Sequence, residues 1–337
     1  MTGYQSQTVA FRPGERNVFF HLLTACNLAC RHCYINPELH GSEKVSRETV
    51  GAWLKLFYKI DRQNNLIFLG GEPTLHPDLA WGIKTARQIG YDSVTVDTNG
   101  YLYHQLLDRI TPADAVISFS LDGPTPEIND PIRGQGVFDI CIANLTRAAA
   151  MGFEVSAIFT VSRLNFHSLH EMPTLLASKG VKRFFIQVIG LRGKSADSGH
   201  DLQLTPEEWL ATVPPVAQEA AALGLQVIYP KVFLGPDEKF ECAGLVAENF
   251  FIFPNGRVYQ CPLCEDYPVN AFNIKENKLK KNPGMTEDKF FQLRIPEGCV
   301  MNKLLQFDNL SYEPNGRPRY QISCCLLKNE IKPGESR

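Results

Sequence analysis

The chain has 337 residues, past the size at which one hydrophobic core keeps growing, and its 44% hydrophobic and 21% charged residues describe a folded protein rather than a disordered one. With 34 basic against 36 acidic side chains the formal charge is −2, so no summed field draws the chain to nucleic acid or to an anionic membrane. No apolar run approaches a bilayer span, and the opening MTGYQSQTVAFRPGER lacks the pattern of a signal peptide, so the cytoplasm is the expected compartment. Ten cysteines in a reducing compartment point to metal ligation rather than to a disulfide framework.

Residues 1–16 form a short extension ahead of the first strand. From there to about residue 230, short apolar runs alternate with helical patterns. The strand candidates are NVFFHLLTA from Asn17, NLIFLGG from Asn65, SVTVDT from Ser93, AVISFSL from Ala115, EVSAIFTV from Glu154, RFFIQVIG from Arg183 and LQVIYP from Leu225. Most are apolar on both faces, as buried parallel strands are. Between them the 3.6-residue period predicts helices over Val50–Lys59, Leu79–Ile89, Val137–Met151, Leu169–Ser178 and Pro206–Leu223. The last opens on Thr205, Pro206 and Glu208, a capping box with proline at the first helical position. This alternation predicts an α/β fold whose parallel sheet curls toward a barrel, with its chemistry at the C-terminal ends of the strands.

After Pro230 the alternation stops, and 231–337 reads as a second, loop-rich unit holding six of the ten cysteines. Its Lys-rich stretch NIKENKLKKNPG from Asn273 is expected to be a solvated loop. FPNGRVYQC reads as two strands that turn through Pro254, Asn255 and Gly256.

The first strand runs into CNLACRHCY, which places Cys26, Cys30 and Cys33 on one short loop. Three thiolates can hold three irons of a [4Fe-4S] cubane and leave the fourth open for chemistry. A structural zinc site would need a fourth ligand, for which His32 is available only by turning back past Cys33. GGEP, Gly70 to Pro73, closes the second strand. By itself it is a strand-ending turn.

Together the two motifs resemble the radical S-adenosylmethionine (SAM) enzymes, in which C-x3-C-x2-C is followed by an aromatic residue, here Tyr34. The resemblance spans 17–230, as a partial (β/α)6 barrel, and more weakly the rest. It implies that SAM chelates the open iron and is cleaved reductively to a 5'-deoxyadenosyl radical that abstracts hydrogen from a substrate. Cys26, Cys30 and Cys33 would then be the catalytic metal ligands, and Gly70 and Gly71 would receive the SAM ammonium, with Glu72 nearby and Pro73 fixing the turn. Ser118, Ser120 and Asp122 in SFSLDGP would meet the ribose; alternation puts all three on one face. Ser162 and Arg163 would meet the SAM carboxylate, although a surface salt bridge explains a single Arg as well. Thr98 and Asn99 end the third strand as a further contact or a plain Asn-Gly turn. Val188 to Gly190 would back the adenine. Cys141 reads as core packing.

Cys242, Cys261 and Cys264, with the spacing around Gly256, are similar to the first half of a SPASM extension, which carries auxiliary [4Fe-4S] clusters. Cys299, Cys324 and Cys325 do not complete the full SPASM pattern. Six thiols are too few for two cubanes, which take about eight, so one auxiliary cluster is expected, its fourth ligand being Cys299, Cys324 or Cys325. Adjacent cysteines rarely share a cluster, which leaves one of the last pair free; a zinc ribbon is the alternative for the group.

The expected activity is a radical SAM modification of a peptide or protein, driven by an electron donor such as flavodoxin or ferredoxin. The alternatives are a small molecule or tetrapyrrole as substrate, a zinc-stabilised binding module without radical chemistry, and an electron carrier. Asp122, Glu127 and Asp130 stand near the barrel mouth, as bases for an oxidative step or as turn caps.

Overall fold

The computed structural model describes residues 14–333 apart from 104, 198–201, 236–237, 247 and 306–309, so 1–13 of the expected extension lie outside the described residues. Seven strands answer the seven apolar runs: β1 (Glu15–His21), β2 (Gln63–Leu69), β3 (Ser93–Thr98), β4 (Val116–Ser120), β5 (Val155–Val161), β6 (Arg183–Val188) and β7 (Gln226–Pro230). Each pairs in parallel with the next in chain order.

That order has a consequence for the two faces. Right-handed crossovers between strands laid down in one direction place every connecting helix on the same side. The helix Arg47–Phe57 buries Val50, Trp53, Leu54 and Phe57, one apolar stripe, and Trp53 stacks on Phe20 of β1. The helices Leu79–Ile89, Val137–Ala150, Met172–Ser178 and Pro206–Ala222 continue this outer layer, and the predicted capping box at Thr205 and Glu208 is formed. Outward residues such as Val94, Val96, Phe184 and Ile186 are buried, whereas inward residues Thr95, Asp97, Phe185 and Gln187 are only half-buried. The concave face therefore carries none of these connecting helices and is partly open to water along β3 and β6.

One helix, Pro126–Arg133, was not legible in the sequence because Pro131 lies within it and two glycines and two further prolines flank or open it. Its buried Asn129, Asp130, Ile132 and Arg133 anchor it beneath the cysteine loop.

The segment after Pro230 does not stand apart from this sheet. Following β8 (Phe233–Leu234), β9 (Glu248–Ile252) lies parallel to β1, and β10 (Arg257–Tyr259), β11 (Phe272–Lys275) and β12 (Lys278–Lys281) continue outward in antiparallel fashion. β13 (Gln321–Ile322) pairs with β8, and β14 (Lys328–Ile331) closes the opposite edge on β7. The Lys-rich stretch is thus a hairpin and not the expected loop. Glu276 and Asn277 turn it at φ 53° and 55°, the left-handed pair of a two-residue hairpin turn. Phe272, Ile274 and Leu279 pack against the core beneath the lysines, an alternation that the charge run hides. Among the described residues no helix is long and apolar enough to cross a membrane.

Candidate functional site

The cysteine loop leaves β1 at the C-terminal rim and is zipped to the GGEP turn. Gly71 N–H donates to Leu23 C=O at 2.8 Å and Glu72 N–H to Ala25 C=O at 3.0 Å. A Cβ on Gly71 would lie 2.3 Å from the carbonyl oxygens of Thr24 and Ala25, and one on Gly70 2.8 Å from that of Leu23. The glycines are needed because the cysteine loop itself lies against them, a reason the sequence did not disclose.

Glu72 is buried beneath this contact. Its Oε1 accepts from Thr74 N–H, Thr74 Oγ1 and Thr98 Oγ1, and its Oε2 from Asn99 N–H, at 2.7 to 3.0 Å. Burial pushes the carboxyl above its ordinary range and these donors oppose it. Asn99 then reaches the loop: its Nδ2 lies 2.9 Å from Asn27 Oδ1 and 3.7 Å from Cys26 Sγ, while its Oδ1 accepts from Tyr101 N–H in the expected turn. Thr98 and Asn99 therefore serve the turn and the loop at once.

Cys26 is exposed, and Cys30 and Cys33 are half-buried. Desolvation lifts the Cys26 thiol to about 11, opposed by the Leu28 amide and reinforced by Glu72, Cys30 and Cys33. Arg31 N–H donates to Ile132 C=O, which seats the loop on the helix Pro126–Arg133.

The SFSLDGP segment divides. Ser118 bonds the carboxyl of Asp97, which burial raises to about 7, and Ser120 is half-buried on the concave face. Asp122 is wholly buried, paired with Arg133 Nε at 2.7 Å and His32 Nε2 at 3.3 Å, and accepts from Thr160 N–H at 2.8 Å. It ties the cysteine loop to β5, and the same contact occupies His32. Asp130 caps the next helix through Gly136 and Phe138 N–H, and Glu127 is exposed. Ser162 is buried in a turn with Asn165, and Arg163 pairs with Glu208 at 2.9 Å near the surface. Gly190 C=O accepts from Ser195 Oγ just past β6, and Cys141 is fully buried in the core.

Tyr34 leads to the second cysteine group. Its hydroxyl lies 2.9 Å from His21 Nε2, while His21 Nδ1 lies 3.1 Å from Ile252 C=O. A carbonyl only accepts, so Nδ1 carries the proton and Nε2 accepts from Tyr34; burial holds the imidazole down to about 3, hence neutral. The Arg192 guanidinium covers the Tyr34 ring at 4.9 Å, pairs with Glu265 and donates to Pro262 C=O. Lys194 N–H donates to Cys33 C=O, and Gly193 N–H to Asp266. The stretch after β6 thus bridges both cysteine regions, and its sequence signal was the pair of glycines, Gly190 and Gly193, around Arg192.

Cys264, Cys299 and Cys324 are buried, and Cys242, Cys261 and Cys325 half-buried. All but Cys242 join one apolar cluster with Phe251, Phe253, Tyr259 and Cys33. Burial, then Cys324 and Cys261, lifts Cys242 to about 12, and Cys299 responds to Cys324, Cys261 and Cys242, so the group is electrostatically one. Glu287, which sequence reasoning passed over, accepts from Gln260, Cys261 and Ala271 N–H at 2.7 to 3.2 Å.

The donor set suits iron-sulfur chemistry, since soft thiols gather at both places and Asn27 Nδ2 is buried beside Cys26 without a hydrogen-bond partner among the described residues. Among those residues no three His, Cys, Asp or Glu side chains converge as ligands of one ion.

A singly wound partial barrel with a thiol-bearing loop at its C-terminal rim is the class of protein that these features define. Residues 21–176 match the Radical SAM superfamily, so the chain carries a radical SAM domain. It is a radical SAM enzyme, using SAM and a [4Fe-4S] cluster. The chain is 28% identical over 311 residues to the mycofactocin maturase MftC of Mycobacterium tuberculosis, covering 83% of this chain and 73% of that one. It is 29% identical over 275 residues to a probable GTP 3',8-cyclase of Saccharolobus islandicus, covering 77% and 87%. Among solved structures, Streptococcus suis SuiB bound to precursor peptide SuiA superposes with a TM-score of 0.70 at 13% identity over 87% of this chain and 74% of that one. Native anSMEcpe with bound AdoMet and Cp18Cys peptide gives 0.60 at 16% identity over 87% and 88%.

Proposed function

We propose that the enzyme modifies a peptide or protein, with residues 17–230 as the radical SAM unit and 231–337 as an auxiliary unit. The observation that carries the reading is the similarity to MftC, a maturase, across most of both chains. In support, SuiB and anSMEcpe share the fold and were seen with peptides.

In this reading Cys26, Cys30 and Cys33 hold the SAM-binding cluster, and Cys242, Cys261 and Cys264 with one of Cys299, Cys324 and Cys325 hold a second. When bound, the first cluster supplies the electron that cleaves SAM to the radical that takes hydrogen from the substrate. The chain's own residues supply position. Glu72 and Asn99 brace the loop, Asp122 and Arg133 hold it from below, and the concave face with Asp97, Ser118 and Ser120 receives SAM and substrate. Metal binding takes these cysteines as thiolates. A flavodoxin or ferredoxin supplies electrons in the cell.

A second reading, a small-molecule substrate, is favoured by the similarity to GTP 3',8-cyclases. Anaerobically reconstituted enzyme given SAM, dithionite and either the short peptides encoded beside the gene or GTP separates the two. Substrate-dependent 5'-deoxyadenosine and a mass change in a peptide are expected. Turnover of GTP, with none of any peptide, overturns the first reading.

A further inference from the structure

The strand that closes the sheet brings a cation to the concave face. Lys328 pairs with Pro230 at the C-terminal end of β7, and its ammonium lies over the Phe185 ring, 4.7 Å from the centroid. Phe185 is the register partner of Ile228, and Gln187 of Thr160, so Lys328 enters the concave space near the rim that carries the cysteine loop. The next residue of β14 on this face, Glu330, lies deeper and bonds Gln226.

Among the described residues no carboxylate forms an ion pair with Lys328. The other cations around the site are paired: Arg133 with Asp122, Arg163 with Glu208, Arg183 with Glu154 and Arg192 with Glu265. Asp97, an inward-facing carboxyl at the rim, stands on β3, with β4, β5, β6 and β7 between it and β14. A desolvated ammonium that pairs with no carboxylate is costly, and a ring face offsets only part of the cost. Burial accordingly holds the amine down to about 8, with Cys325 and Cys324 opposing.

We propose that Lys328 is a substrate-binding residue of this site, receiving a carboxylate carried by the substrate across from the radical. The proposal rests on the peptide reading above and sharpens it. A cation that pairs with no carboxylate among the described residues suits a single negative charge.

Three N-acetylated tetrapeptide probes test this: one with its only carboxylate at the C-terminus, one with it on a Glu side chain and an amidated end, and one with none. Glutarate serves as a small-acid control. Binding to the reconstituted, SAM-loaded wild type, Lys328→Arg and Lys328→Met is measured by calorimetry, with iron content and circular dichroism as checks on folding. A carboxylate probe is expected to bind at least about tenfold more tightly than the amide, with the better of the two naming the source; Lys328→Arg keeps the preference and Lys328→Met loses it. If glutarate alone shows the lysine-dependent preference, the lysine site stands and the peptide reading falls. The proposal fails if no probe is preferred, if Lys328→Met keeps the preference, or if that variant changes only the electron paramagnetic resonance signal of the auxiliary cluster.

Discussion

The rim loop with Cys26, Cys30 and Cys33 and the C-terminal segment with six further cysteines both gather thiols, but at opposite degrees of burial. Each is braced by a buried glutamate: Glu72 accepts from Thr74, Thr98 and Asn99, and Glu287 from Gln260, Cys261 and Ala271. The rim loop stays accessible, with Cys26 exposed above its brace, whereas the second group is sunk in an apolar cluster with Phe251, Phe253 and Tyr259. On the proposed reading, the site that admits SAM is fixed from beneath and left open, and the site that holds the second cluster is enclosed.

The sharpest way to break this contrast is to remove one thiol from each side. Cys30→Ala should lower 5'-deoxyadenosine formation under dithionite by roughly 100-fold or more, beyond the loss from deleting an outer hydrogen-bond partner, while Cys141→Ala changes it little. A Cys30→Ala protein that still cleaves SAM at the wild-type rate contradicts the assignment.

Cys242→Ala and Cys261→Ala should behave differently. Iron is expected to fall from about eight to about four per chain, with uncoupled SAM cleavage kept within about fivefold and product lost. Unchanged iron in both variants would show that neither is a ligand.

The braces sharpen the contrast further. Glu72→Gln replaces a four-fold acceptor with a group that has one acceptor oxygen, costing about 1–3 kcal/mol in urea unfolding and slowing SAM cleavage. Glu287→Gln should cost a similar amount but act on iron retention in the second group. Equal effects of the two on SAM cleavage would erase the distinction.

Asp97 gives a pH test on the open side. Its folded carboxyl is raised from 3.8 to about 7, so between those values the folded chain holds a proton that the unfolded chain has released. The associated stability is present in acid and is lost as the pH rises through about 7. Asp97→Asn in the metal-free protein should therefore gain on the order of 2 kcal/mol over wild type at pH 8 relative to pH 5. A pH-independent difference in urea midpoints would refute it. The smallest effect is expected at Arg163, whose pair with Glu208 is near the surface: Arg163→Met should cost about 1 kcal/mol or less and shift the KM for SAM less than about twofold. A larger KM shift would return Arg163 to the SAM carboxylate.

The parallel strands and their helices were legible because each apolar run is short, β-branched or aromatic, and bounded by turn residues. The cysteine loop and GGEP were legible because their chemistry is local. What escaped the sequence depends on distant partners. Glu287 reads as an ordinary surface acid until Gln260 and Ala271 fold around it, and Asp122 as a ribose contact until Arg133 and His32 close on it. The Lys-rich hairpin was masked because charge on one face outweighed the apolar alternation of Phe272, Ile274 and Leu279 on the other.

The placement of β9 and β14 on the two edges of the seven-stranded sheet also bears on how the chain is made. During synthesis β1 has only one neighbour until Glu248–Ile252 has emerged, and β7 has an open edge until Lys328–Ile331 has done so. Pairings separated by 232 positions in the chain, such as Asn17 with Asn249, form late and slowly. A nascent barrel with both flanks unpaired is an aggregation hazard, so its survival depends on how quickly translation delivers the last third and on chaperones that shield those flanks meanwhile.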